Sequence, residues 1–330
     1  MSTLWSRREL GACCAFSFFI PVLSVAAQFA LPTFTPLTPD LGQAGAFVGI
    51  SMLMAVCAGA SVLVLGGLNR RVMHVLLAVV FLAACVAGFM PAGHVVHHLG
   101  RSYPLRDDLL AAADAAIGFH WTSMLAWFND HPGLAAVGGR AYAAFSWQTV
   151  LLPFAMALAG RFTELHRYWI AYGLCIVLVH AGVYFLPALG TYDFYGVAPS
   201  THDQLALTYQ SRHVGEVLGM RDGSIVGLMG RPQYGIVTFP SFHAGFGLLA
   251  AWAFWRLGPL RYPGLILNAA MIGATPLHGS HYLSDVIAGS ALMVLSIVAS
   301  RHLIALALRI GRSRAGLSHR GAPSLALGSS

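Results

Sequence analysis

Two short segments carry the side chains best suited to chemistry. One reads Thr238-Phe-Pro-Ser-Phe-His243-Ala-Gly, the other Leu277-His-Gly-Ser-His281-Tyr-Leu-Ser-Asp285, and each leads into an apolar run. One further apolar run separates them, so if each run crosses a membrane once, both segments open on the same face. On a helix, His281 and Asp285 are four residues apart and share a side. The carboxylate can then accept a hydrogen bond from one ring nitrogen while the other turns toward a substrate, which makes the imidazole a better base or nucleophile. A carboxylate near the end of a lipid-embedded run is costly, and pairing with His281 supplies its reason. Pro-Ser-x-His occurs twice, at Pro240 to His243 and at Pro199 to His202. Only the former runs straight into an apolar helix, so His202 is set aside. Pro240 suits the first turn of a helix, where free N–H groups and the Ser241 hydroxyl could cradle an anion.

The elements that must hold these groups follow from composition. With 57% of 330 residues apolar and 9% charged, too little polar surface remains for a soluble globule, and a disordered chain is excluded. Bare lipid satisfies no backbone groups, so the expected fold is an all-α, polytopic integral membrane helical bundle. Charge-free windows cover 10–39, 41–69, 72–100, 141–160, 168–192, 232–255 and 262–284. Each has room for the ~20 helical residues of a membrane span. An eighth run, 286–308, is broken only by Arg301, close enough to its end to snorkel. The expectation is therefore about eight transmembrane helices. Segment 105–131 places Leu109, Ala113, Ile117, Trp121, Leu125 and Phe128 on one stripe and reads as an amphipathic helix lying on the outer leaflet. Segment 190–239 reads as a loop forming a lid or wall beside the membrane. These divide the chain into a three-helix segment 1–100, a membrane domain 101–310 and a disordered cytoplasmic tail 311–330.

Net charge is +7, from nineteen arginines and no lysine. With a cytoplasmic N-terminus, Arg7, Arg8, Arg70, Arg71, Arg161, Arg167, Arg256, Arg261 and the tail arginines all fall inside, in short connections, and ten of the twelve acids fall outside. Both termini are thus expected in the cytoplasm, with the paired histidines on the outer side. The composition, without lysine and rich in Ala, Arg and Gly, points to a bacterial inner membrane with a periplasmic site. No nucleic-acid partner is indicated. The five cysteines lie in apolar runs without CxxC spacing and read as core residues. Arg7 and Arg8, followed by an apolar stretch ending in Ala26-Ala27-Gln28, also have the form of a secretory signal. Its cleavage would leave seven spans without inverting the rest.

Pro240-Ser241-Phe242-His243 resembles the second signature of the type-2 phosphatidic acid phosphatase superfamily, and His281-Tyr-Leu-Ser-Asp285 the end of its third. The resemblance is closest to the branch containing inositol phosphorylceramide synthases and, more distantly, sphingomyelin synthases, where the third signature commonly reads His-Tyr-x-x-Asp. It covers residues 100 to 305. Ala274 and Thr275 stand where the wider superfamily has Ser-Arg, and the lysine of its first signature has no counterpart. The resemblance implies a lipid phosphate phosphatase working through a phosphohistidine: His281 attacks phosphorus, Asp285 orients it, and His243 protonates the departing alcohol. Ser241, Arg221 and Arg231 would bind the phosphate, with no metal or cofactor required. With an alcohol as second acceptor, the same steps make a phosphotransferase acting on a phospholipid. A rival reading takes His94-x-x-His97-His98, with His278 and His281, as metal ligands of a transporter.

Overall fold

The computed structural model describes residues 6–65, 69–197, 213–229 and 237–320. The first helix, α1 (Arg7–Phe34), opens with a reciprocal cap. Ser6 Oγ accepts from the Glu9 N–H at 3.2 Å, and Glu9 Oε2 accepts from the Ser6 N–H at 2.7 Å. Glu9 also accepts from Arg312 Nε at 2.8 Å, which joins the two ends of the chain at one end of the bundle. The remaining helices are α2 (Leu41–Leu65), α3 (Arg70–Leu99), α4 (Asp107–Ala116), α5 (Trp121–Asn129), α6 (Pro132–Leu158), α7 (Phe162–Phe185), α8 (Thr191–Phe194), α9 (Val214–Asp222), α10 (Phe242–Trp255), α11 (Arg261–His278) and α12 (Leu283–Arg320). The protein is an all-α, polytopic membrane bundle. Among the described residues, the only β-type pairing is an isolated bridge between Thr38 and Gly227.

Among the described residues each of the eight apolar runs carries a helix, but these are not eight full spans. Helices α1, α2, α3, α6, α7 and α12 are long and apolar enough to cross a membrane. By contrast α10 has 14 residues, or about 21 Å at 1.5 Å per residue, short of a ~30 Å hydrocarbon layer. It starts late because Ser241 is its N-cap, with Pro240 one residue outside the helix rather than in its first turn. Helix α11 has 18 residues and stops at His278, where Gly279 caps it and Ser280 turns the backbone at φ 59°. The segment carrying His281 is thus a connection between helices, and α12 begins only at Leu283. At the far end α12 continues to Arg320, into the segment expected as a tail; residues 321–330 lie outside the described ones.

The amphipathic helix expected over 105–131 is two helices, α4 and α5, bent by 79°. Gly118, at φ 77°, makes the break. Trp121 and Leu125 are buried as the stripe requires, but Leu109 and Ile117 are exposed, and α4 buries Asp107, Leu110 and Asp114 instead. The periodicity failed here because two carboxylates find backbone donors inside the fold.

The core surrounds the short helix. Phe246, Leu249 and Ala250 of α10 pack with Trp169 and Tyr172 of α7, Met271 of α11, Met293 of α12 and Phe81 of α3. Glycines set the approach: a Cβ on Gly245 would lie 2.8 Å from the Gly289 carbonyl, and one on Gly289 would overlap the Ser241 carbonyl. Helices α10 and α12 therefore meet backbone to backbone. Replacing Gly289 by Val is expected to destabilise the protein by about 1–3 kcal/mol through overpacking. A thermal midpoint in detergent equal to wild type would show that the two backbones are farther apart.

Candidate active site

The connection between α11 and α12 is held from every side. Trp121 Nε1 of α5 donates to Pro276 O at 2.9 Å, and the Tyr192 hydroxyl of α8 donates to Leu277 O at 2.8 Å. His278 donates from Nε2 to Ala135 O of α6 at 2.9 Å. Ser280 O and Oγ accept from the N–H groups of Thr191 and Tyr192 at 3.2 and 3.3 Å. Gly190, at φ 106°, passes so close to Ser280 that a Cβ would meet its carbonyl at 2.6 Å. Only glycine accepts both the conformation and the contact.

The start of α12 is capped by carboxylates. Asp114 accepts from the N–H groups of Leu283 and Ser284 at 2.7 and 2.8 Å. Asp285, in the first turn, accepts from the Tyr282 N–H at 3.0 Å, as the third residue of a capping box does. Asp107 accepts from the N–H groups of Leu189 (3.0 Å) and Gly190 (2.8 Å) and from the Tyr282 hydroxyl (3.0 Å). Three carboxylates thus fix the backbone on which His281 sits. All are 7% exposed or less, so their bonds act in a medium of low dielectric.

Within this frame His281 Nδ1 lies 3.1 Å from Asp285 Oδ2, the pairing that the i, i+4 spacing anticipated, although His281 precedes the helix. Its Nε2 faces Ser241 Oγ at 3.2 Å. With Nδ1–H donated to the carboxylate, Nε2 carries the lone pair, and the serine hydroxyl can donate to it. Burial moves the ring down to about 4, against a smaller opposing pull from the Thr238 carbonyl, so His281 is neutral near pH 7. The Ser241 N–H donates to the Asp285 carbonyl at 3.1 Å, joining the two segments through their backbones. Ser241 Oγ also accepts from the Ala244 N–H at 3.4 Å as the cap of α10. Among the described residues, the N–H groups of Phe242 and His243, the first two of that helix, have no acceptor. An oxyanion could take them.

His243 is clamped between two aromatic rings of α6. Tyr142 stacks on it at 4.3 Å and 7°, and Phe145 lies 4.1 Å away. Tyr142 also reaches the connection, since a Cβ on Gly279 would meet its hydroxyl at 2.8 Å and His281 Cδ2 at 2.6 Å. Ser241, His243, His281 and Asp285 therefore share one neighbourhood. Arg221 is not brought to them. Its guanidinium donates to Gly100 O at 3.3 Å, to Arg101 O at 3.5 Å and to Tyr103 O, closing the C-terminus of α3. Arg231 and His202 lie outside the described residues. Of the histidines in the rival metal reading, His98 meets Met220 O and Arg101, and among the described residues no three His, Cys, Asp or Glu side chains are grouped to hold an ion. Sequence reasoning missed Asp107, Asp114, Tyr142 and Phe145. The seven-residue spacing of the two aspartates put them on one helical face, and that was the available signal.

A family model described as the PAP2 superfamily matches residues 108–299, more than half of the chain. The chain belongs to the PAP2 superfamily. The matched region runs from α4 into α12 and encloses Ser241, His243, His281 and Asp285, while α1 to α3 precede it. Membership makes the protein a membrane enzyme of the phosphatase or phosphotransferase type, with lipid phosphate as its class of substrate. No curated protein and no solved structure matches the chain. For this PAP2 protein, Asp114→Ala is expected to cost about 1–2 kcal/mol by removing the acceptor for two helix-terminal N–H groups. Turnover should fall further than KM changes, because the frame under His281 loosens. Wild-type unfolding in detergent and wild-type turnover together would refute the bracing role.

Proposed function

We propose that the protein hydrolyses a membrane lipid phosphate through a phosphohistidine at His281. The observation that carries this reading is the His281 ring, held at Nδ1 by Asp285 with Nε2 turned toward the start of α10. Nε2 attacks phosphorus, the N–P bond forms and the bond to the lipid oxygen breaks. His243 supplies the proton to the departing alcohol, and its aromatic clamp fixes the direction of that transfer. The phosphate oxygens rest on the N–H groups of Phe242 and His243 and on the Ser241 hydroxyl, where the helix dipole favours negative charge. Water, deprotonated by His243, then attacks the phosphohistidine and releases phosphate. Asp285 keeps the imidazole oriented and stabilises the positive charge it gains on phosphorylation.

A second reading replaces water by an alcohol and so transfers a phospho-headgroup between lipids. It rests on the His-Tyr-x-x-Asp pattern at 281–285, in which Tyr282 has a defined duty. Its hydroxyl donates to Asp107 and its N–H to Asp285. The arginines at the end where Glu9 meets Arg312 support both termini in the cytoplasm and the site on the outer side, and the lysine-free composition rich in Ala, Arg and Gly supports a bacterial inner membrane.

Incubating the protein in liposomes with labelled lipid phosphates, with and without candidate alcohols, tests both. Free phosphate alone identifies hydrolysis, and a new labelled phospholipid identifies transfer. His281→Ala should reduce either product by roughly 10³-fold or more, and Asp285→Asn by about 10²–10⁴-fold. His281→Ala turning over at the wild-type rate would overturn the proposal.

A further inference from the structure

At the end of the bundle away from His281, two helices set arginines over one indole and a third brings another arginine within electrostatic reach. Arg167 of α7 lies over the Trp252 ring at 5.0 Å and Arg256 of α10 over the same ring at 5.5 Å. Arg301 of α12 and Glu164 of α7 lie within electrostatic reach of Arg167, so three positive charges face one carboxylate. The Nε atoms of Arg167 and Arg256 are both buried, and among the described residues neither has a hydrogen-bond partner. Beside them Arg261 stacks over Tyr262 at 4.6 Å and over Trp255 at 5.7 Å. Both of these aromatic residues are exposed, as rings seated at a membrane–water boundary are.

A bias of arginine toward one face does not require them to converge. Sharing an indole brings like charges together in a partly dry place, which is unfavourable unless an anion sits between them. From this geometry we infer that Arg167, Arg256 and Arg301 form a binding site for the phosphodiester headgroup of an anionic phospholipid in the adjacent leaflet. Trp255 and Tyr262 flank it at headgroup depth. The guanidinium groups of Arg167 and Arg256 donate to phosphate oxygens, and the exposed Arg301 closes the rim. The choice of a lipid over a free anion follows from the setting, within an apolar membrane bundle and beside exposed aromatic rings. This inference is independent of the chemistry proposed for His281.

Native mass spectrometry of the full-length protein in nonionic detergent tests it, with dioleoylphosphatidylglycerol as probe and dioleoylphosphatidylcholine as control. Wild type should retain the anionic lipid in preference to the zwitterionic one. Each arginine lost should weaken that preference by about fivefold. The Arg167→Gln/Arg256→Gln pair should nearly abolish it, and Arg301→Gln, at an exposed position that leaves packing intact, should show the single step. His281→Ala should keep the wild-type preference. The inference fails if wild type shows no preference, if Arg301→Gln and the folded double variant both bind as wild type does, or if His281→Ala removes the bound lipid. Displacement of the lipid by excess inorganic phosphate would overturn the choice of a lipid ligand.

Discussion

Everything at the candidate site depends on the N-terminus of α12 being held by buried carboxylates. A helix start leaves N–H groups without partners, and where that start is buried inside the fold the acceptors must come from the protein itself. Here Asp114 and Asp285 take those of Tyr282, Leu283 and Ser284. Asp107 binds the Tyr282 hydroxyl and the backbone at Leu189 and Gly190. Burying a carboxylate without partners costs several kcal/mol, and each of these accepts at least two hydrogen bonds that offset it. The result is a rigid shelf on which His281 projects, with Asp285 both a cap and the ring's partner.

The second half of the site depends on α10 being short. Because it begins at Phe242, its open N–H groups arrive at the level of the α11–α12 connection rather than above it. Gly245 and Gly289 allow its backbone to touch α12, and the Ser241 N–H bonds directly to the Asp285 carbonyl. The two signatures are therefore positioned by backbone contact, which leaves little room for relative motion. Phosphoryl transfer gains mainly from such positioning and from fixed donors around the phosphate oxygens. Tyr142 and Phe145 extend the same principle to His243 by packing both faces of its ring.

Much of this was legible in the sequence, and the exceptions share a cause. The apolar runs, the all-helical class, the pairing of His281 with Asp285 and the proximity of Ser241 follow from hydropathy and short spacings, which are local. The ends of α10 and α11, the bend at Gly118 and the duties of Asp107, Asp114 and Arg221 are set by tertiary hydrogen bonds between segments far apart in the chain. Asp114 reads as part of a polar helical face until Leu283 and Ser284 are brought to it. Arg221 reads as a cation for phosphate until the carbonyls at the end of α3 claim its donors. Pro240 looked like a first-turn residue, yet the N-cap fell one residue later, on Ser241.

The most direct measurement is to quench turnover of a labelled lipid phosphate, digest the protein and locate the phosphoryl group by mass spectrometry under alkaline conditions that preserve phosphohistidine. The expected result is phosphate on the peptide containing His281, lost on acid treatment and undetectable in His281→Ala. Phosphate on another residue, or none at any point of a productive turnover, would contradict a histidine nucleophile at the head of α12.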